Sequence, residues 1–309
     1  MKGLKFFACR DSVNLGRKVA RLLGKRLGRL HLSNFADGEI RVWVEEEVKG
    51  KNCLVFQTTR LDPNNRLIEL CLVASALKES GAKKVLAVIP SFGYARQFMA
   101  HQPGETKAAF LMAKILVTSG VDEVMVVDLH HQKILDLFGI PAVNLKTEEL
   151  FVQAIKKLSL KDFILVAPDK GSKPRAASLA GKLKAPYVFL KKKRKTKGFG
   201  REDWSRVFDL SGKVRGLEAV IVDDEISSGG TVVKTANLLK ERGAKRIFVL
   251  VTHPVFSGQT YFNLTQAPLE KILVTDTLPL GKKAFKTLPN LEVVSVAGLV
   301  AWAIEKRFK

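Results

Sequence analysis

The stretch Asp223-Asp224-Glu225-Ile226-Ser227-Ser228-Gly229-Gly230-Thr231 follows the apolar run Val220-Ile221-Val222. Its order is a buried strand, two acids, a Ser/Gly loop and a helix start. A helix start offers N–H groups without intrahelical partners and the positive end of the backbone dipole. Gly229 and Gly230 let the backbone curl around an anion, and Ser227, Ser228 and Thr231 add hydroxyl donors. Asp223 and Asp224 stand where open α/β sheets bind ligands, and carboxylates accept hydrogen bonds from vicinal hydroxyls. A phosphorylated sugar fits this set. No GxxxxGK[ST] occurs, so the loop is not a Walker A loop. A capped helix after a turn would explain the serines and glycines, but two consecutive acids after a buried strand serve no packing purpose.

Four further places could do chemistry. Phe35-Ala36-Asp37-Gly38-Glu39 reads either as a surface turn or as an aromatic platform for a base, flanked by acids. Arg96 and Gln97 follow a strand and the turn at Gly93, and Arg96 is suited to bidentate phosphate contact. His130 and Asp169 each follow a strand end. A lone histidine there is either a structural residue or a metal ligand, and Asp169 is a second metal candidate. The basic run Lys191-Lys192-Lys193-Arg194-Lys195-Thr196-Lys197 lies between the strand Tyr187 to Leu190 and two glycines, Gly198 and Gly200. Such a run is a solvated loop, a nucleic-acid patch or a lid over phosphates.

The elements that must position these residues alternate. Apolar runs at 53–56, 85–89, 124–127, 163–166, 220–222, 247–251 and 272–274 read as strands buried on both faces. Amphipathic stretches at 67–80, 107–119 and 231–242 separate them. This is the pattern of a parallel α/β sheet. The chain also echoes itself. Residues 76–84 read ALKESGAKK and 238–246 read LLKERGAKR, each a helix end, a glycine and a strand start. Any α/β chain repeats such units, but the echo also fits two duplicated domains, 1–143 and 144–296. A last helix near 297–309 is expected to return to the first domain. The first copy places Gln57-Thr58-Thr59-Arg60 where the second has its Ser/Gly loop, and this glycine-free stretch is not expected to hold a phosphate.

Composition bounds the rest. The 309 residues carry 46% hydrophobic and 27% charged side chains, enough apolar material for a packed core. Lys and Arg number 52 against 30 Asp and Glu, a formal net charge of +22. That asks for an anionic partner, whether phosphorylated small molecules, nucleic acid or an anionic membrane. Cys9, Cys53 and Cys71 are odd in number and form no CxxC, so they read as core residues in a reducing compartment. No segment reaches the roughly 18 apolar residues of a membrane span, and the N-terminal apolar stretch is too short for a signal peptide. A soluble cytoplasmic protein is expected.

Several segments, in order, resemble the ribose-phosphate pyrophosphokinase family. They are Asn34 to Ile40, Ile89 to Gln97, Val127 to His130 with Phe138 to Pro141, Ala167 to Gly171, Val222 to Thr231 and Thr252 to Gly258. The Pro103-Gly104-Glu105 form and Ser227 are similar to archaeal-type members. The resemblance implies two phosphoribosyltransferase-like α/β domains, each with a mostly parallel sheet flanked by helices. It also implies transfer of the β,γ-diphosphoryl group of ATP to the C1 hydroxyl of ribose 5-phosphate, with Mg²⁺ as cofactor. ATP binding is carried over to Phe35, Asp37, Gly38, Glu39, Arg96 and Gln97. The catalytic role falls on Lys192 and Arg194, and metal–ATP contact on His130 and Asp169. Ribose 5-phosphate binding falls on Arg194, Asp223, Asp224, Ser227, Ser228, Gly229, Gly230 and Thr231. A homo-oligomer with a dimer as its minimal unit is implied, with no specific nucleic-acid partner and no membrane. A phosphoribosyltransferase shares the second loop but not the motifs at 35 and 96. A non-catalytic regulatory homologue would not need Lys192, Arg194, His130 and Asp169 together.

Overall fold

The computed structural model describes residues 3–100, 102–194 and 206–308. The chain forms two compact units. The first is Met1–Thr147 with Asp276–Pro279 and Ser295–Lys309, and the second is Glu148–Thr275 with Leu280–Val294.

The first unit contains β1 (Leu4–Ala8), α1 (Val13–Leu22), β2 (Leu30–Asn34), β3 (Ile40–Val44), β4 (Asn52–Phe56), α2 (Pro63–Glu79), β5 (Lys84–Ile89), α3 (Ala108–Thr118), β6 (Glu123–Val127) and β7 (Ala142–Leu145). Five strands form a parallel sheet in the order β1-β4-β5-β6-β7, while β2 and β3 make a separate antiparallel hairpin. Helices cover both faces, which is why β4, β5 and β6 are apolar throughout.

The second unit contains α4 (Glu148–Lys157), β8 (Phe163–Ala167), α5 (Lys173–Leu183), β9 (Tyr187–Arg194), β10 (Arg206–Leu210), β11 (Glu218–Ile226), α6 (Gly230–Glu241), β12 (Arg246–Pro254), α7 (Thr260–Thr265), β13 (Lys271–Thr275), α8 (Lys282–Thr287) and β14 (Leu291–Val294). Its sheet runs β10-β9-β8-β11-β12-β13-β14, parallel except for β10. The five strands β8-β11-β12-β13-β14 repeat the order of the first sheet, and β9 and β10 extend it.

The repeat holds at the level of single bonds. In the first unit Gly81, at φ +84°, ends α2, and its carbonyl accepts from Gly50 N–H at 2.8 Å. In the second, Gly243, at φ +82°, follows α6, and its carbonyl accepts from Gly216 N–H at 2.8 Å. A Cβ on Gly81 would meet Lys49 Cγ at 3.2 Å, and one on Gly243 would meet Arg215 Cγ at 3.3 Å. The echo read from the sequence is therefore one left-handed helix stop used twice.

The last helix, α9 (Ala297–Phe308), packs on α1 in the first unit. Asp276 receives Val296 N–H at 2.8 Å and Ser295 Oγ at 2.6 Å at its start. Near its end Arg307 forks onto Glu123 at 2.7 and 3.0 Å. Burial of Val300 and Ile304, at roughly 1.5–3 kcal/mol each, outweighs that half-exposed ion pair, which contributes about 1 kcal/mol or less. No helix among the described residues is long and apolar enough to cross a membrane.

Candidate functional site

In the second unit β11 does not stop at Val222 but runs on to Ile226. Asp223, Glu225 and Ile226 stay in register with Val251, His253 and Pro254 of β12. The acids expected at the C-terminal end of the strand are thus residues of the strand itself, and the loop is Ser227–Gly229. Ladder bonding to a long neighbouring strand overrides the low strand propensity of aspartate. The loop ends in Gly229 at φ +80°, a left-handed turn that opens α6.

The loop is fastened from one side. Ser257 N–H donates to the Ser227 carbonyl at 3.0 Å, and the Ser227 and Ser257 hydroxyls share a bond of 2.9 Å. Thr260 Oγ1 donates to the carbonyls of Ser227 and Ser257, and Asn263 Nδ2 donates to the Ser228 carbonyl at 2.8 Å. Carbonyl oxygens repel anions, so engaging those of Ser227 and Ser228 in the protein favours a cradle built from helix-start N–H groups. A Cβ on Gly230 would meet nothing closer than 3.8 Å. Packing therefore leaves room for a side chain at this position.

Asp169 follows β8, the neighbour of β11. It is exposed, and its Oδ1 accepts from Ser172 N–H and Ser172 Oγ, both at 2.9 Å. Asp223 is held well above the usual carboxylate range. Burial is the main cause, repulsion from Asp224 and Asp169 adds to it, and Asp224 N–H and Arg175 oppose it. The second unit thus gathers three carboxylates and the hydroxyl-rich loop at the C-terminal ends of adjacent strands. Ser172, Arg175, Thr260 and Asn263 were not legible as parts of this edge, because their roles depend on tertiary neighbours. Ser257 lies within the segment Thr252 to Gly258 that carries part of the family resemblance.

In the first unit Phe35, Asp37, Gly38 and Glu39 form the exposed turn of the β2–β3 hairpin, with Phe35 51% exposed. Arg96 and Gln97 lie in a short 3₁₀ turn after β5, both exposed. His130, also exposed, follows β6, the neighbour of β5. Before it Asp128 sits at φ +43° and takes Thr147 Oγ1, while Leu129 N–H donates to Asn144 Oδ1 at 3.0 Å. Phe98 stacks on His131 with ring centroids 4.3 Å apart, clipping the Arg96 segment to the His130 segment. The hairpin belongs to a different sheet from these two segments.

The first four residues of the basic run are strand rather than loop. Lys191 to Arg194 are strand residues of β9, paired antiparallel with Arg206 to Asp209 of β10. The side chains of Lys192 and Arg194 lie outside the described residues, as do Lys195, Thr196, Lys197, Gly198 and Gly200.

Among the described residues no group of three or more His, Cys, Asp or Glu is arranged to hold a metal. Mg²⁺ commonly takes one or two carboxylates and completes its shell with phosphate oxygens and water. Asp169, an exposed carboxylate fixed in orientation by Ser172, fits that role. An imidazole is a less usual partner for so hard an ion.

Residues 4–120 match the model for the N-terminal domain of ribose phosphate pyrophosphokinase, and 204–309 match the phosphoribosyl synthetase-associated domain. The chain is similar to a ribose-phosphate pyrophosphokinase of Campylobacter jejuni, 36% identical over 99% of this chain and 96% of the relative. One from Aquifex aeolicus is 37% identical, with the same coverage of 99% and 96%. Among solved structures, the phosphoribosylpyrophosphate synthetase of Mycobacterium smegmatis superposes with a TM-score of 0.90 at 32% identity, covering 99% of both chains.

Proposed function

The chain belongs to the ribose-phosphate pyrophosphokinase family, and from that premise we propose how its residues divide the work. The enzyme makes 5-phosphoribosyl 1-diphosphate from ATP and ribose 5-phosphate. The C1 hydroxyl of the sugar attacks the β-phosphorus of ATP, the bond to the α-phosphoryl oxygen breaks, and AMP leaves.

The observation that carries the assignment is the Ser227–Gly229 loop, with its carbonyls engaged and Asp223 and Asp224 beside it. The 5-phosphate sits on the helix-start N–H groups and on the hydroxyls of Ser227, Ser228 and Thr231. The ribose hydroxyls donate to Asp223 and Asp224. Binding in this way fixes the sugar at both ends and leaves its C1 hydroxyl to be oriented for in-line attack. Relief of the repulsion at Asp223 by donors from the sugar would make the empty edge less favourable than the filled one.

Adenine stacks on Phe35, with Asp37, Gly38 and Glu39 at the base or nucleoside, while Arg96 and Gln97 hold phosphates. Lys192 and Arg194 neutralise charge on the transferring group, and Arg194 also meets the ribose 5-phosphate side. Mg²⁺ would be held by Asp169 together with phosphate oxygens, with His130 at the metal–ATP complex. When bound, it supplies charge neutralisation on those oxygens. A homo-oligomer with a dimer as its minimal unit, in the cytoplasm, completes the reading.

The test is AMP formation from ATP and Mg²⁺, with and without ribose 5-phosphate, for the wild type and Lys192→Ala. The reading expects sugar-dependent AMP that falls by about a hundredfold or more in the variant. ADP in place of AMP would mean that the wrong phosphorus has been assigned.

A further inference from the structure

We propose that Arg10 is a positioning residue for the nucleotide turn at 35–39, acting through Asn34 with Glu69 as its anchor. The proposal rests on the reading that this turn meets ATP.

The relay starts in the core. Glu69 of α2 is 0% exposed. Its Oε1 accepts from Arg10 N–H at 3.1 Å and from Gln57 Nε2 at 2.9 Å, and its Oε2 lies 3.2 Å from Arg10 Nε. Arg66 approaches the same carboxylate at 3.6 Å and also binds Asp11. Burial pushes the Glu69 carboxyl up, while Arg10 N–H and the two guanidinium groups pull it back. A buried carboxylate is strongly disfavoured unless paired, so the Arg10 guanidinium is held where Glu69 needs it.

A guanidinium is planar, so holding its Nε edge against Glu69 in an ion pair biases the direction of its far nitrogens. Arg10 NH2 donates to Asn34 Oδ1 at 2.7 Å. Asn34 is the last residue of β2, and its Nδ2 donates across the turn to the Gly38 carbonyl at 2.8 Å. Both ends of that amide are therefore engaged. The turn adds Phe35 N–H to the Glu39 carbonyl at 2.8 Å and Gly38 N–H to the Phe35 carbonyl at 3.0 Å. The path runs from a helix in the core, across the Glu69–Arg10 ion pair, to the tip of an exposed hairpin.

A two-stranded hairpin is marginal by itself. An untethered tip must be ordered when ligand binds, and that cost is subtracted from affinity. Arg10 and Asn34 pre-order the turn, so they act on nucleotide affinity while touching no substrate. Arg10 has a second role in neutralising Glu69, and lysine separates the two. Arg10→Lys keeps a charge beside Glu69 but has no rigid fork to reach Asn34.

The test uses the full chain. Mg–ATP binding is measured by calorimetry without ribose 5-phosphate, with steady-state KM values and melting temperatures alongside. Arg10→Lys and Asn34→Ala are expected to melt near the wild type, with ATP binding weaker by about three- to tenfold. Their KM for ribose 5-phosphate should stay within about twofold of the wild type. Arg10→Ala is expected to lose stability as well. Phe35→Ala is the control for the underlying reading. Normal ATP affinity in Arg10→Lys and Asn34→Ala, with weakened affinity in Phe35→Ala, would overturn the relay and spare the turn. Normal affinity in Phe35→Ala as well would remove the turn from the nucleotide site, and the proposal with it.

Discussion

Two loops stand at the same place in the two units, each following the second strand of the shared five-strand order. After β11 comes Ser227–Gly229, a loop with Ser228 exposed, followed by Gly230, where a Cβ would meet nothing closer than 3.8 Å. After β4 comes Gln57-Thr58-Thr59, and each of these residues is 0–1% exposed. Thr58 N–H donates to Ser12 Oγ at 2.8 Å, Thr59 N–H to the Ser91 carbonyl at 2.9 Å, and Gln57 Nε2 to Glu69 at 2.9 Å. Gly93 closes over this loop, its N–H on Thr59 Oγ1 at 2.8 Å. The N–H groups that we propose one copy offers to an anion are consumed by the protein in the other. A duplicated fold can thus keep its frame, down to the Gly81 and Gly243 stops, while one copy keeps the loop of the proposed sugar-phosphate site and the other fills the same space with its own polar groups.

The largest effects are expected at the glycines. A Cβ on Gly93 would lie 2.1 Å from the Thr59 carbonyl oxygen, so backbone must move. Gly93→Ala is expected to destabilise the protein by about 3 kcal/mol, read as a shift in denaturant midpoint. Gly230→Ala meets no atom within 3.4 Å and should melt as the wild type does. On the proposed assignment its added methyl stands where the phosphate approaches, so the KM for ribose 5-phosphate should rise roughly ten- to hundredfold. Equal melting temperatures in the two variants would erase the distinction between a packing glycine and a ligand glycine.

A smaller effect is expected at Asp223. Its carboxyl is raised by burial and by two neighbouring acids, so the folded state binds its proton more tightly than the unfolded state does. Its stability contribution is present below the ordinary carboxylate range and is lost as pH rises through the raised value. Asp223→Asn should therefore melt higher than the wild type in chelator at neutral pH, by roughly 2–4 °C per kcal/mol relieved. The gain should vanish near pH 4. The same variant should bind ribose 5-phosphate poorly, a trade of stability for function.

Much of this was legible in the chain. β4, β5, β6, β8, β11, β12 and β13 announce themselves because strands covered on both faces are apolar throughout. β2 and β3 do not, since their inward residues alternate with exposed ones in a hairpin outside the main sheet. β9 is legible as far as Leu190, but its continuation through Lys191–Arg194 and its partner β10 are not, because the charge of lysine and arginine says nothing about backbone pairing. The acids and glycines of 223–231 were readable because their types have few other uses there. Their fastening by Ser257, Thr260 and Asn263 was not, since it joins segments about 30 residues apart. The Glu69–Arg10–Asn34 path was equally hidden, as it spans 59 and 24 residues of sequence.

The most direct measurement of the central contrast is the number of ribose 5-phosphate molecules bound per full-length chain at saturation, by equilibrium dialysis. The account predicts one per chain, lost in Gly230→Ala. Two sites of similar affinity, or one that survives Gly230→Ala, would contradict the assignment of ligand binding to the second loop alone.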